Sequence, residues 1–185
     1  MGTIKATNIE PIADNGTVTL GSSGDQFTLA TGAKSSFLYP AFEAHLSAPN
    51  QSVTDAAVTK VEIDTEVFDT NSCFDTSTYR FTPNVAGKYY VYGAIYHRTA
   101  TSSNLAWGLT YIYKNGSNYE RDQIIQFSNN HGRQASVPIS GIIDMNGTSD
   151  YLELFGSTNI SSGSNAEFSV GSGKGTFFGA YRIGS

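Results

Sequence analysis

The chain has a single cysteine, Cys73, in 185 residues. An intrachain disulfide is therefore excluded, and with it the stapled secreted scaffold. Charge is scarce as well. Only 15% of residues are charged, and 16 acids against 11 bases leave a net charge of −5. An acidic chain is a poor match for phosphate backbones, so nucleic acid is not expected as a partner. No run of 18 apolar residues occurs, so no membrane insertion is expected. Met1-Gly2-Thr3-Ile4-Lys5 lacks the apolar core of a signal peptide. Thr7 falls one place late for a myristoylation signal. The expectation is synthesis in a cytosol without an export signal, with lysis as the way out for a viral protein. Convincing helical periodicity is missing too.

These scarcities thin out the chemistry. The imidazoles are His45, His97 and His131, and no Gly-x-Ser-x-Gly elbow accompanies them. Cys73, between Ser72 and Phe74, reads as a half-buried inert thiol. Gly171-Ser172-Gly173-Lys174-Gly175 has some phosphate-loop texture, but Gly175 follows the lysine and a strand follows, so a hairpin turn is the better reading. Asp69-x-Asn71-x-Cys73 opens like a calcium loop and fails at Phe74 and Arg80, where glycine and glutamate are needed. No enzyme activity, cofactor or metal is expected.

What the chain does have is glycine (19), tyrosine (11) and phenylalanine (11), the composition of an all-β protein. Its organising stretch is Phe81-Thr82-Pro83-Asn84-Val85-Ala86-Gly87-Lys88-Tyr89-Tyr90-Val91-Tyr92. Pro83 cannot donate to a ladder and Gly87 permits a turn, so this reads as strand, corner, strand. Leu105, Trp107, Leu109, Tyr111 and Tyr113 share one face at period two. Asn115-Gly116 then marks a two-residue hairpin. Tyr119 to Phe127, Ala135 to Met145, Asp150 to Phe155, Ala166 to Val170 and Thr176 to Ile183 continue the train. Ser77 to Phe81 reads as a strand, residues 50–56 as a polar loop, and Phe68 to Asp75 as a loop with two aromatic anchors. Roughly ten strands over about 150 residues mean a sandwich or barrel.

Residues 1–36 have a different texture. Gly16-Thr17-Val18-Thr19-Leu20-Gly21 and Gln26-Phe27-Thr28-Leu29-Ala30 are short strands bounded by breakers. Val18, Leu20, Phe27 and Leu29 are the large apolar side chains of these two strands, too few to offset the entropy of ordering. An arm that borrows order from a partner, through those four residues, is the expectation.

Several landmarks occur together over residues 37–185. They are Ala41-Phe42-Glu43-Ala44, Phe81-x-Pro83 with Gly87-x-Tyr89-Tyr90-Val91, the Asn-Gly hairpin, Ser140-Gly141-Ile142-Ile143, and the closing Thr176-Phe177-Phe178-Gly179-Ala180-Tyr181. In that order they resemble the globular head of the complement first-component q subunit, within the tumour-necrosis-factor-like superfamily. The resemblance implies a ten-stranded antiparallel jelly-roll sandwich that assembles as a homotrimer. It implies core or trimer-packing roles for Phe42, Tyr89, Val91, Tyr151, Phe177 and Tyr181. Some such heads hold calcium near the trimer apex, and Asp64, Asp69 and Asp75 are the carboxylates considered for it here. Ile4 to Ile9 and Gly16 to Asp25 are in turn similar to the openings of tailed-bacteriophage virion proteins.

The combined expectation is a non-enzymatic, trimeric virion-surface protein, a capsid decoration or a short fibre. Residues 1–36 would attach it to other virion proteins. The alternative is a receptor-binding fibre knob that grips host-surface glycan or protein through loops such as 50–56, 99–104, 129–134 and 159–165.

Overall fold

The computed structural model describes residues 39–100, 104–125, 132–162 and 165–184. All of them belong to one unit of the chain, Ser36–Ser185. The arm, with Val18, Leu20, Phe27 and Leu29, lies outside the described residues.

Among the described residues there are thirteen strands and no helix. They are β1 (Ala41–His45), β2 (Gln51–Val53), β3 (Thr59–Lys60), β4 (Thr65–Asp69), β5 (Phe74–Asp75), β6 (Arg80–Phe81) and β7 (Gly87–Thr99). Then come β8 (Leu105–Lys114), β9 (Ser117–Ile125), β10 (Gln134–Met145), β11 (Leu152–Ile160), β12 (Ala166–Phe168) and β13 (Phe177–Gly184). The count exceeds ten because short pairings add strands the sequence pattern does not mark. Gln51–Val53 pairs with β12 inside the expected loop 50–56. Thr65–Asp69 pairs with β1, so Phe68 is a strand residue. The strand expected over 77–81 shrinks to Arg80–Phe81, because the Asp75 carboxylate accepts from Ser77 and Thr78 and turns the chain there.

Two antiparallel sheets result. In the seven-stranded sheet β4, β1, β13, β7 and β10 lie side by side, with β12 and β2 continuing along the far end of β7. In the six-stranded sheet β9, β8 and β11 lie side by side, and β3 and the β6–β5 pair meet β11 on its other edge. The β7–β10 ladder runs from Met145↔Gly87 to Gln134↔Arg98. Pro138 is tolerated in it because β10 is an edge strand.

Alternation along each strand puts one set of side chains between the sheets. Phe42, at 0% exposure, stacks on Phe74 and Phe81 with centroids 4.7 and 4.4 Å apart, and meets Phe178 edge-on at 5.3 Å. Tyr89 packs edge-on against Phe81, and its hydroxyl donates to the Val85 carbonyl at 2.7 Å. That bond ties the corner to the strand it starts. Gly87 has φ 142°, and a Cβ there would collide with the Gly184 carbonyl oxygen. Asn115 and Gly116 both take positive φ, as their hairpin requires.

One polar group crosses this core. His97 on β7 is fully buried. Its Nδ1 lies 2.7 Å from Thr158 Oγ1 on β11, and its Nε2 lies 3.3 Å from Thr110 Oγ1 on β8. The Thr110 hydroxyl donates to the Val137 carbonyl at 3.0 Å. Thr110 therefore accepts from Nε2–H, which assigns Nδ1 as the acceptor of the Thr158 hydroxyl proton. The ring fits because residue 108 is glycine: a Cβ there would sit 2.6 Å from the imidazole. Burial pushes the His97 pKa down to about 3, so the ring is neutral.

Candidate functional site

The outer face of the seven-stranded sheet carries the side chains that alternation excludes from the core. Register places them in rows. Tyr181 on β13 stands beside Tyr90 on β7, and Tyr90 beside Ile142 on β10. One row along, Phe68, Glu43, Gly179, Tyr92 and Ser140 lie across β4, β1, β13, β7 and β10. His45, Phe177, Ala94 and Pro138 form the next row.

The rings touch. Tyr90 lies 6.0 Å from Tyr92 and 5.5 Å from Tyr181, and Tyr92 lies 6.3 Å from Phe177 and 6.4 Å from Tyr181. Tyr92 lies down on the sheet because Gly179 beneath it has no side chain: a Cβ there would approach the Tyr92 ring to 2.5 Å. Its hydroxyl donates to Glu43 at 3.0 Å, and Lys174 Nζ reaches the other Glu43 oxygen at 2.8 Å. The Lys174 ammonium bonded to it holds the Glu43 carboxyl below the usual carboxylate range. Burial, reinforced by Glu43, pushes the Tyr92 phenol up.

This patch is open. Ile142 is 59% exposed, Phe68 45% and Tyr181 37%. Val67 and Ile183 are exposed on the same strands β4 and β13. Beside it lies a cleft of about 430 Å3, walled by Tyr90, Tyr92, Phe177 and Pro138 and, from β9, by Glu120 and Arg121. Contiguous exposed apolar patches are found at interaction sites and ligand grooves.

The expected packing residues divide between core and face. Phe42, Tyr89 and Val91 point into the core and are fully buried. Phe177 and Tyr181 lie on the outer patch. Tyr151 is on neither: it sits on the six-stranded sheet, with the Arg80 guanidinium 4.1 Å over its ring. The sequence pattern assigns no packing role to Tyr90, Tyr92, Phe68, Ile142 or Glu43. Their signal is parity: if Tyr89 and Val91 face inward, Tyr90 and Tyr92 must face out.

The three carboxylates considered for calcium are not brought together. Asp64 accepts from the Ser47 amide and hydroxyl, Asp69 from the Phe74 and Asn71 amides, and Asp75 from Ser77 and Thr78. The Ser77 hydroxyl, foremost, pulls the Asp75 pKa down to about 2. Among the described residues no group of three or more metal-ligating side chains converges. Cys73 is buried, and burial pushes its thiol up, away from nucleophilic use.

No family model matches the sequence, and no curated protein matches it. Solved structures do match. Murine APRIL at pH 5.0 superposes with TM-score 0.55 at 13% identity, over 78% of this chain and 98% of that one. Murine APRIL at pH 8.0 gives TM-score 0.54 at 14% identity, over 78% and 98%. Eiger TNF from S. frugiperda gives 0.49 at 13% identity, over 79% and 94%. At such identities the APRIL likeness speaks to fold. Residues of the described unit form a tumour-necrosis-factor-like jelly roll.

Proposed function

We propose that this chain is a non-enzymatic structural protein of a tailed-phage virion surface, working as a homotrimer whose protomers close on the aromatic face of the seven-stranded sheet. The observation that carries the reading is the outward-facing cluster of half-buried Tyr90, Tyr92 and Phe177 with exposed Tyr181, and exposed Ile142 at its edge. Burying such a face stabilises an assembly by about 25 cal/mol per Å2 of apolar area, and obligate interfaces commonly exceed about 2,000 Å2. The complement-head resemblance supports three-fold closure. Residues 1–36 would attach the trimer to capsid or tail proteins, which makes it a decoration or a short fibre.

Light scattering tests the assembly: the expected mass is three times the 19.8 kDa chain. Electron imaging of particles carrying the tagged protein tests the location, and a particle without the label at either head or tail removes the virion reading. The second reading is a receptor-binding knob for host-surface glycan or protein. Its support is a groove at one end of the same sheet.

A further inference from the structure

Beyond the aromatic patch, β7 continues to His97–Thr99, where β10, β12 and the 169–175 loop surround its outer face. Tyr96 stands at the centre. On one side a cleft of about 370 Å3 is lined by Tyr96, Arg98, Arg133, Gln134, Ser169 and Ser172. On the other a cleft of about 340 Å3 is lined by Tyr96, Ser136, Ser172, Lys174, Gly175 and Phe177. Tyr96, Gly171 and Ser172 belong to both, so the two clefts form one groove across the tyrosine ring. The loop is held there by a Ser169 amide donating to the Tyr96 carbonyl at 2.8 Å. Gly171, at φ 61°, approaches so closely that a Cβ would lie 3.2 Å from the Tyr96 ring.

The groove gathers charge against the trend of the chain. Three of the eleven basic residues, Arg98, Arg133 and Lys174, line it, although the net charge is −5. Two carboxylates oppose them. Glu167 accepts from Arg98 Nη1 at 3.3 Å and from Asn50 at 2.9 Å, and Glu43 accepts from Lys174. Arg133 is exposed, and its Nε donates to the Thr99 carbonyl at 3.5 Å. Among the described residues no carboxylate pairs with it. Among the described residues Arg98 is engaged through Nη1. A guanidinium fork matches a carboxylate or sulfate in two parallel bonds, and a tyrosine ring offers the apolar face of a sugar a stacking surface. Serine hydroxyls and the Gln134 amide supply neutral donors and acceptors along the floor.

We infer that this groove binds an acidic polysaccharide, with Tyr96 under a sugar ring and Arg133 and Arg98 on its carboxylate or sulfate. Tyr96 is six residues along β7 from Tyr90, about 20 Å. The cleft with Arg98 and Arg133 shares no residue with the aromatic patch, whereas the Lys174 cleft borders it at Phe177. The inference deepens the receptor-binding reading and is independent of where on a particle the protein sits.

Calorimetry with the full chain tests it, using polygalacturonate and dextran sulfate as acidic probes and dextran as the neutral one, at about 0.15 M salt. At least one acidic polymer should bind and dextran should not. Arg133→Gln and Tyr96→Ala should each weaken binding by about tenfold or more, the weight of one charge-assisted or stacking contact. Lys88→Gln, outside the groove, should leave affinity unchanged. Arg133 is exposed, so Arg133→Gln tests the site without disturbing the fold. Binding of neither acidic polymer, equal binding of dextran, or unchanged affinity in Arg133→Gln overturns the inference. Light scattering on the same samples separates the readings. A trimer that ignores both polymers refutes the groove, whereas a monomer that binds them refutes the assembly.

Discussion

The two outer faces of this sandwich solve the same problem differently. On the six-stranded sheet, Glu153 points outward yet is only 1% exposed. Lys60 and Arg80 cover it at 2.5 and 2.8 Å, and Tyr113 and Phe155 stack beside it at 4.1 Å. Both cations come from β3 and β6, which pair with β11 in the same sheet, so this carboxylate is covered from within the chain. On the seven-stranded sheet Phe68, Tyr181 and Ile142 stay exposed, and the one carboxylate row is tied up by Lys174 and Tyr92. Among the described residues β9 and the Lys174 loop border this face without covering Phe68, Tyr181 or Ile142. One face covers its carboxylate with the chain's own cations, and the other leaves apolar side chains exposed among the described residues. An outward-facing aromatic is therefore not by itself an interface residue; what matters is whether the chain supplies a lid.

The largest effect should come from the core that both faces share. Phe42→Ala removes a ring with three aromatic neighbours and should cost about 3–5 kcal/mol, read as a lower urea midpoint. The loss should appear whatever the state of either face.

Acid should act next, again on both faces alike. Between pH 6.5 and about 3 the native state excludes a proton from His97 that the unfolded chain takes up. Stability is thus full above pH 6.5 and falls with acidification, by up to about 1.4 kcal/mol per pH unit. Urea titrations of His97→Gln across that window should show a slope shallower by one proton. An unchanged slope would mean that the imidazole is charged in the fold.

Glu153→Ala breaks the self-sufficient face. Losing a carboxylate bonded to two cations should cost about 1.5–3 kcal/mol, with no change in assembly mass. A drop in mass there would reverse the assignment of the two faces. The smallest effect belongs to Lys88→Ala. The exposed Lys88–Asp144 pair contributes less than about 1 kcal/mol, and thermal melting should barely move.

Much of the fold can be read before any coordinates. Asn115-Gly116 specifies its hairpin, and Pro83 with Gly87 specifies the corner. The short strands β2 and β4 escape such reading because only a partner distant in sequence makes them strands. The stripe of Trp107, Leu109, Tyr111 and Tyr113 is legible as one face. Sequence does not say that this is the outer face of its sheet, with Ile112 and Thr110 turned inward. Tyr151 shows the same limit: its aromatic character suggested packing, while its place under Arg80 depends on a strand 71 residues earlier. His97 becomes a core group only because Gly108, on another strand, leaves room for it. The aromatic face itself needed one further step, the parity of Tyr89-Tyr90-Val91-Tyr92.

The proposed trimer depends on that face being covered by other copies of the chain. Multi-angle light scattering of the wild type beside a Tyr90→Asp, Ile142→Asp double variant addresses it most directly. Both substitutions place charge on outward positions and leave the core untouched. The expected result is a wild type at three times 19.8 kDa and a folded variant at 19.8 kDa. A wild type that is already a folded monomer, or a variant that keeps the wild-type mass, would contradict it.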